Sequence, residues 1–160
     1  MISQPNQLLT TTTEDLPSYL LQLRDAPASR DLFDIRKDVP PMDDKVNLAE
    51  KFALLSEPYQ PGIVGYINDY KLQIVKVQGP FVWHQHDETD DFFLVVRGRL
   101  TIHLRDRDVE LKEGELFVVP RGVEHCPEAD EEAQVLLIEP KETVNTGDAG
   151  GELTAEPTEL

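Results

Sequence analysis

After Pro61 the hydropathy of this chain takes on a period of two, and that change restricts the fold more than any other feature. Apolar and polar residues alternate in short runs: Ile63–Ile67, Leu72–Val77, Phe81–His86, Phe92–Arg97, Leu100–Leu104, Val109–Leu111, Leu116–Val119 and Val135–Ile138. Alternation by two marks strands, because successive side chains point to opposite faces of a sheet. The runs are separated at Asn68-Asp69, Gly79-Pro80, Gly98, Asp106–Asp108, Gly114 and Gly122, residue types that reverse a chain within a few positions. Short strands joined by tight turns predict an antiparallel all-β domain, a sandwich or a barrel, between about Gly62 and Glu139.

The flanks read differently. Asn47 is an N-cap candidate with Glu50 three residues later, and Leu48, Phe52 and Leu55 recur at helical spacing, which predicts a short amphipathic helix ahead of the strands. Residues 1–45 are polar and broken by Pro17, Pro27, Pro40 and Pro41, as an extension would be. Within it Ser18–Arg24 holds Tyr19, Leu20, Leu21 and Leu23, enough for one short docking element, though a loosely held arm fits equally. The domain is expected to occupy residues 46–140. Residues 141–160, with Asn145–Gly151 and an acidic end, read as a surface loop and frayed tail.

Thirty-one acidic against fifteen basic residues leave a formal charge of −16, which opposes nucleic-acid phosphates and anionic membrane surfaces. No stretch approaches the roughly 20 apolar residues of a membrane span. Met1–Thr13 carries neither a basic residue nor a continuous apolar run, so a cytoplasmic location is expected. The single cysteine, Cys126, excludes an intrachain disulfide and a thiolate metal cluster.

Within this frame three of the four histidines stand out. His84 and His86 are two apart, and on extended backbone their rings project to the same side, whereas on a helix they would diverge. Asp91 follows, and His125 comes much later, past Pro120 and Gly122. Imidazoles and a carboxylate suit zinc, iron, nickel, copper or manganese without choosing among them.

These residues carry a resemblance to the cupin family, small jelly-roll barrels defined by two motifs. The first runs glycine, five residues, His-x-His, three or four residues, glutamate, six residues, glycine. His84, His86, Asp91 and Gly98 match its spacing, with Asp91 in place of the glutamate and Gly79 one residue too close. The second is matched by Gly114, Pro120, Gly122 and His125, with Ala129 where the family has asparagine. The resemblance covers about half the chain. It implies a single antiparallel cupin barrel and a metal held by His84, His86, Asp91 and His125. That metal would be one divalent transition ion, namely iron, manganese, zinc or nickel, with coordination positions left open. It also implies a homodimer paired through sheet faces, for which Phe81 and Trp83 are outward apolar candidates.

Asp91 is one methylene shorter than glutamate, so direct ligation competes with an outer hydrogen-bonding role or general-base role. Asp90 has an allowed spacing too, but alternation puts it on the opposite face. His103, between Ile102 and Leu104, fits a solvated strand face, and Cys126 a buried small hydrophobe. Phe93, Val95 and Phe117 are pocket-lining candidates. No further acid, base or arginine clamp announces itself inside the motifs; Arg97, Arg99 and Arg121 are available, but strand ends commonly carry such charges.

Two functions follow as expectations. One is a metalloenzyme of isomerase, lyase, decarboxylase or dioxygenase type acting on a small carboxylate, hydroxy-keto compound or sugar derivative. The other is a barrel that only binds a small molecule or metal, because a fold with many functions does not supply one. The intact ligand set favours the enzyme.

Overall fold

The computed structural model describes residues 45–160, so the extension and its Ser18–Arg24 segment lie outside the described residues. One short helix, α1 (Leu48–Phe52), precedes eight strands: β1 (Gly62–Ile67), β2 (Tyr70–Pro80), β3 (Asp91–Arg97), β4 (Arg99–Leu104), β5 (Asp108–Lys112), β6 (Leu116–Val119), β7 (His125–Pro140) and β8 (Thr158–Glu159). The sheet runs β5-β4-β7-β2-β1-β8, with β3 pairing both β6 and β7. All pairs are antiparallel except β1 with β8. The expected all-β jelly roll with a short leading helix is what forms.

The spine is β7, sixteen residues long although the alternation announces only Val135–Ile138. Its first residues pair with β4, His125 opposite Leu104, and its remainder lies between β2 and β3. The acidic stretch Asp130–Glu132 hides this length from a hydropathy reading, because those exposed residues fall at the irregularity between the Val77–Ala133 and Gly79–Ala129 pairs, where the alternation is broken. Gly98 turns β3 into β4 at φ +86°, and a Cβ there would lie 3.0 Å from the Glu132 carbonyl oxygen. Only glycine meets both conditions.

Inside the roll, Val75, Val77, Phe93, Val95, Leu100, Ile102, Leu111, Val119, Ala133 and Val135 pack as one buried cluster. A second cluster lies on the outer face of β2, where Phe52 and Leu55 cover Ile74 and touch Val96, Leu136 and Leu160. Asn47 caps α1 as expected, its Oδ1 accepting from the Ala49 and Glu50 amides at 3.0 and 3.4 Å while its Nδ2 donates to Glu50. Thus β2 is buried on both faces.

Residues 141–160 are mostly irregular but not frayed. Thr146 is fully buried, and its hydroxyl shares a 2.7 Å hydrogen bond with that of Thr154. The Leu160 side chain lies against Gly62 and the inner face of the helix cluster. Among the described residues no helix is long and apolar enough to cross a membrane.

Candidate metal centre

The segment Phe81–His86, expected as a strand, is extended but makes only one bridge, His84 with His125. The ladder breaks because Pro127 of β7 has no N–H to offer. Pro127 accepts from the Phe81 amide at 2.9 Å, while Phe81 O takes the Cys126 thiol at 3.4 Å. Pairing resumes at the histidines, where His84 N–H donates to His125 O at 3.0 Å and His125 N–H donates to His84 O at 2.9 Å. Extended backbone still sends His84 and His86 to one side, so the spacing argument survives without a continuous strand.

His84, His86, Asp91 and His125 converge. One ligand atom from each lies within 4.8 Å of the other three, and all four residues are buried in a chain otherwise rich in exposed charge. Asp91 Oδ2 sits 3.2 Å from His125 Nε2 and 3.6 Å from His86 Nε2. Two donors bound to one ion at about 2.1 Å are at most about 4.2 Å apart, so the cluster fits a divalent ion after shifts of a few tenths of an ångström. The shorter carboxylate of Asp91 does reach the group, because Asp91 opens β3 with its side chain pointing inward. Asp90 faces away as the alternation predicts and accepts from the Arg121 amide at 3.0 Å.

The imidazole tautomers are arranged by the backbone. His84 Nδ1 lies 2.9 Å from Val82 O, and His125 Nδ1 lies 2.9 Å from Val123 O. A carbonyl can only accept, so each Nδ1 carries a proton and each Nε2 is left to face the centre, that of His125 within hydrogen-bonding distance of Asp91 Oδ2. Burial, and then the neighbouring His125, lower the His84 pKa to about 4; burial also lowers that of His86. His84 is therefore neutral near pH 7, the state a metal ligand requires.

Three residues beside this cluster are absent from the sequence reading. Lys71 and Glu139 are opposite one another on β2 and β7, both 3% exposed, with Nζ and Oε1 3.5 Å apart. Lys71 also donates to Thr143 O at 2.7 Å, and Gln73 donates through Nε2 to Glu139 Oε1. Burial first, and the Asp91 charge second, push the Glu139 carboxyl up to about 8. The signal was present as Lys71-x-Gln73-x-Val75-x-Val77, but Leu72 and Ile74 on the other face compete for the interior, and only the covering by α1 resolves the phase.

The other candidates sort by face. Phe81, expected outward, turns inward: its ring meets that of His84 edge-on at 5.3 Å and packs on Tyr59 at 4.9 Å. Trp83 stays outside beneath the Arg105 guanidinium, 3.7 Å from its ring centre. Phe93 lines the pocket and presents an edge toward His125, whereas Val95 and Phe117 belong to the apolar core. Cys126 is buried as expected. His103 lies between Asp108 at 2.7 Å and Glu128 at 3.0 Å, outside the centre. Arg97, Arg99 and Arg121 are exposed.

Two spaces reach the cluster. A cavity of about 50 Å³ inside the roll touches His84 and is walled by Tyr59, Gln73, Val75, Val77, Phe81, Phe93, Val135, Leu137 and Asn145. A cleft of about 410 Å³ on the surface touches His86 and is rimmed by Asp87, Glu88, Glu142 and Asp148. The C-terminal segment lies along this side: Asp148 Oδ1 accepts from the Gln85 amide at 2.9 Å, and a Cβ on Gly147, at φ +49°, would collide with Gln85 O.

Residues 71–139 match the Cupin domain family. A cupin-2 domain protein from Shewanella frigidimarina is 44% identical in sequence, with a TM-score of 0.59, and the match covers 60% of this chain and 94% of that one. The 3-hydroxyanthranilate 3,4-dioxygenase of Ruegeria pomeroyi is 31% identical over 88 residues, 51% of this chain and 49% of the enzyme. The Bacillus subtilis protein YdbB is 29% identical over 63 residues, 39% of this chain and 56% of that protein. The chain spans about half or less of the length of most curated relatives it matches. The jelly roll, the buried His-His-Asp-His cluster and these likenesses together show that the chain belongs to the cupin family.

Proposed function

We propose that this cupin is a metalloenzyme in which His84, His86, Asp91 and His125 hold one divalent transition-metal ion, iron, manganese, zinc or nickel, and act on a small polar substrate. The observation that carries the reading is the convergence of the four buried side chains with Nε2 of His84 and His125 freed toward the centre by backbone carbonyls on Nδ1. The ion would supply Lewis acidity or oxygen chemistry at its open positions. The chain's own residues do the rest. Lys71, Gln73 and Glu139 form a buried hydrogen-bonded row beside the ligands, and Glu139, with its raised pKa, can hold or release a proton near neutrality at its carboxyl oxygen. Phe81 and Phe93 exclude water from the inner side.

Among a carboxylate, a hydroxy-keto compound and a sugar derivative, the acidic rim of the outer cleft favours an uncharged substrate. Similarity to the 3-hydroxyanthranilate dioxygenases supports dioxygenase chemistry among the reaction types. A homodimer belongs to the same reading, and exposed Leu116 and Val118 on β6 support a sheet-face contact better than inward-facing Phe81. Sedimentation of the purified chain tests it.

Elemental analysis of the purified protein decides the metal. About one equivalent is expected, and none in the His84→Ala/His86→Ala double variant. A wild type that stays below a small fraction of an equivalent after incubation with excess ions would end the metalloenzyme reading. The alternative is a non-catalytic binding cupin. Metal without turnover or oxygen uptake on a panel of the three substrate classes favours that alternative.

A further inference from the structure

The barrel holds the backbone of the histidine pair along one edge only. His84 exchanges both peptide hydrogen bonds with His125, and His86 O accepts from the Gly122 amide at 2.8 Å. On extended backbone the peptide groups of the residue between them face the opposite edge. Among the described residues no strand pairs there. The partner is Asp148, from the irregular segment that follows β7. Its Oδ1 accepts from the Gln85 amide at 2.9 Å, and its own amide donates to Gln85 O at 3.2 Å. One residue earlier, Gly147 approaches so closely that a Cβ would collide with Gln85 O and lie 3.3 Å from His84 Cδ2, the ring carbon bonded to Nε2.

The loop that presents Asp148 is braced. Asn145 bonds Leu153 O at 2.9 Å and the Ala155 amide at 3.1 Å, and buried Thr146 shares its hydroxyl bond with Thr154. Farther on, the Thr158 and Leu160 amides are fastened to Pro61 O and Ile63 O at 3.1 and 3.0 Å. Asp148 itself is exposed, and the bond to Gln85 is the one hydrogen bond its side chain makes among the described residues. We propose that Asp148 is a positioning residue of the metal centre, clamping the Gln85 peptide from the edge opposite His125 so that His84 and His86 are held at one spacing. Docking of the C-terminal segment and metal binding then reinforce each other. Without the clamp the pair is held only through His125 and Gly122, and the ion must order it on binding. The inference rests on the metal reading above and extends the site to residues beyond the barrel strands.

Zinc affinity of the full chain, measured by competition with a chelator in the wild type, Asp148→Ala and Asp148→Asn, tests it. Asp148→Ala is expected to weaken zinc binding roughly tenfold, the scale for losing a group that orients a ligand. Asp148→Asn keeps the accepting oxygen and drops the charge, so it should restore most of the affinity. In the wild type, zinc should slow amide hydrogen exchange at Gln85 and Asp148, because coupling between two equilibria is reciprocal. Unchanged affinity in Asp148→Ala overturns the proposal. An Asp148→Asn as weak as Asp148→Ala does so too, since a charge in the cleft beside His86 then acts by itself. Exchange at Gln85 and Asp148 that zinc leaves unaltered is equally fatal, and that measurement needs no variant to fold. A wild type that binds no zinc removes the metal reading and this inference together, whereas normal zinc binding with any of the three contrary results removes the inference alone.

Discussion

Two rungs of the same three strands show how little separates a core from a site. Val75, Val135 and Val95 lie side by side across β2, β7 and β3, all inward and nearly inaccessible. Four residues along, Lys71 and Glu139 occupy the same inward positions, with Asp91 one residue beyond the last β3–β7 pair, Phe92 with Ile138. Between them lies a mixed rung, Gln73, Leu137 and Phe93. Backbone geometry is the same throughout, so the function resides in which side chains the alternation delivers to each level. Apolar rungs gain from leaving water, whereas each charge on the polar rung is tolerable only with a partner in place.

Substitutions at the two levels should therefore behave oppositely. The largest effect is expected from His125→Ala at the polar end: a loss of metal affinity of roughly a hundredfold or more, read by competition with a chelator, with the fold retained. In the buried cluster that contains the Val75–Val135–Val95 rung, Leu100→Ala should lower unfolding free energy by about 3 kcal/mol in chemical denaturation while metal stoichiometry stays unchanged. Loss of metal in Leu100→Ala without loss of stability would show that the levels are not separable.

Glu139 offers a sharper contrast through pH. Its folded-state pKa, about 8, lies above the ordinary value of 4.5, so between those limits the folded protein binds more protons than the unfolded chain. This group therefore makes the metal-free protein lose stability as pH rises from about 4.5 to 8, and Glu139→Gln should remove that slope. Thermal midpoints across that range measure it; identical slopes in both proteins would contradict the burial argument. The smallest effect is expected outside the roll. The acids Asp108 and Glu128 raise the pKa of His103, so its contribution is present below about pH 6.5 and fades as pH rises through the raised value. His103→Gln should cost under about 1 kcal/mol at pH 5.5 and less at pH 8, because the ring is partly exposed.

Legibility followed the strength of the local signal. His84-x-His86 could be read because extended backbone sends alternate side chains to one side whether or not a ladder forms, and Pro120 and Gly122 marked the turn before His125. The inward turn of Phe81 is not legible from alternation, because Pro127 interrupts pairing in that segment. Most of β7 escapes a hydropathy reading because its outward acids conceal an inward Ala129 and Ala133. The packing of the tail is not legible along the chain, because nothing local predicts that Thr146 will be buried or that Thr158 and Glu159 will pair with β1.

By itself the sequence determined the all-β class, the turn positions, the capped leading helix and the three clustered histidines, with Asp91 as the candidate beside them. Each of these depends on residues within a few positions or on a motif whose spacing is visible along the chain. Tertiary structure alone decided that Asp91 reaches the histidines, which face of β2 is the inner one, and that Lys71, Gln73 and Glu139 form a polar row behind the centre. The reason is physical: both faces of β2 are apolar enough to be buried, and only the docking of α1 on Ile74 leaves the lysine and glutamine no direction but inward.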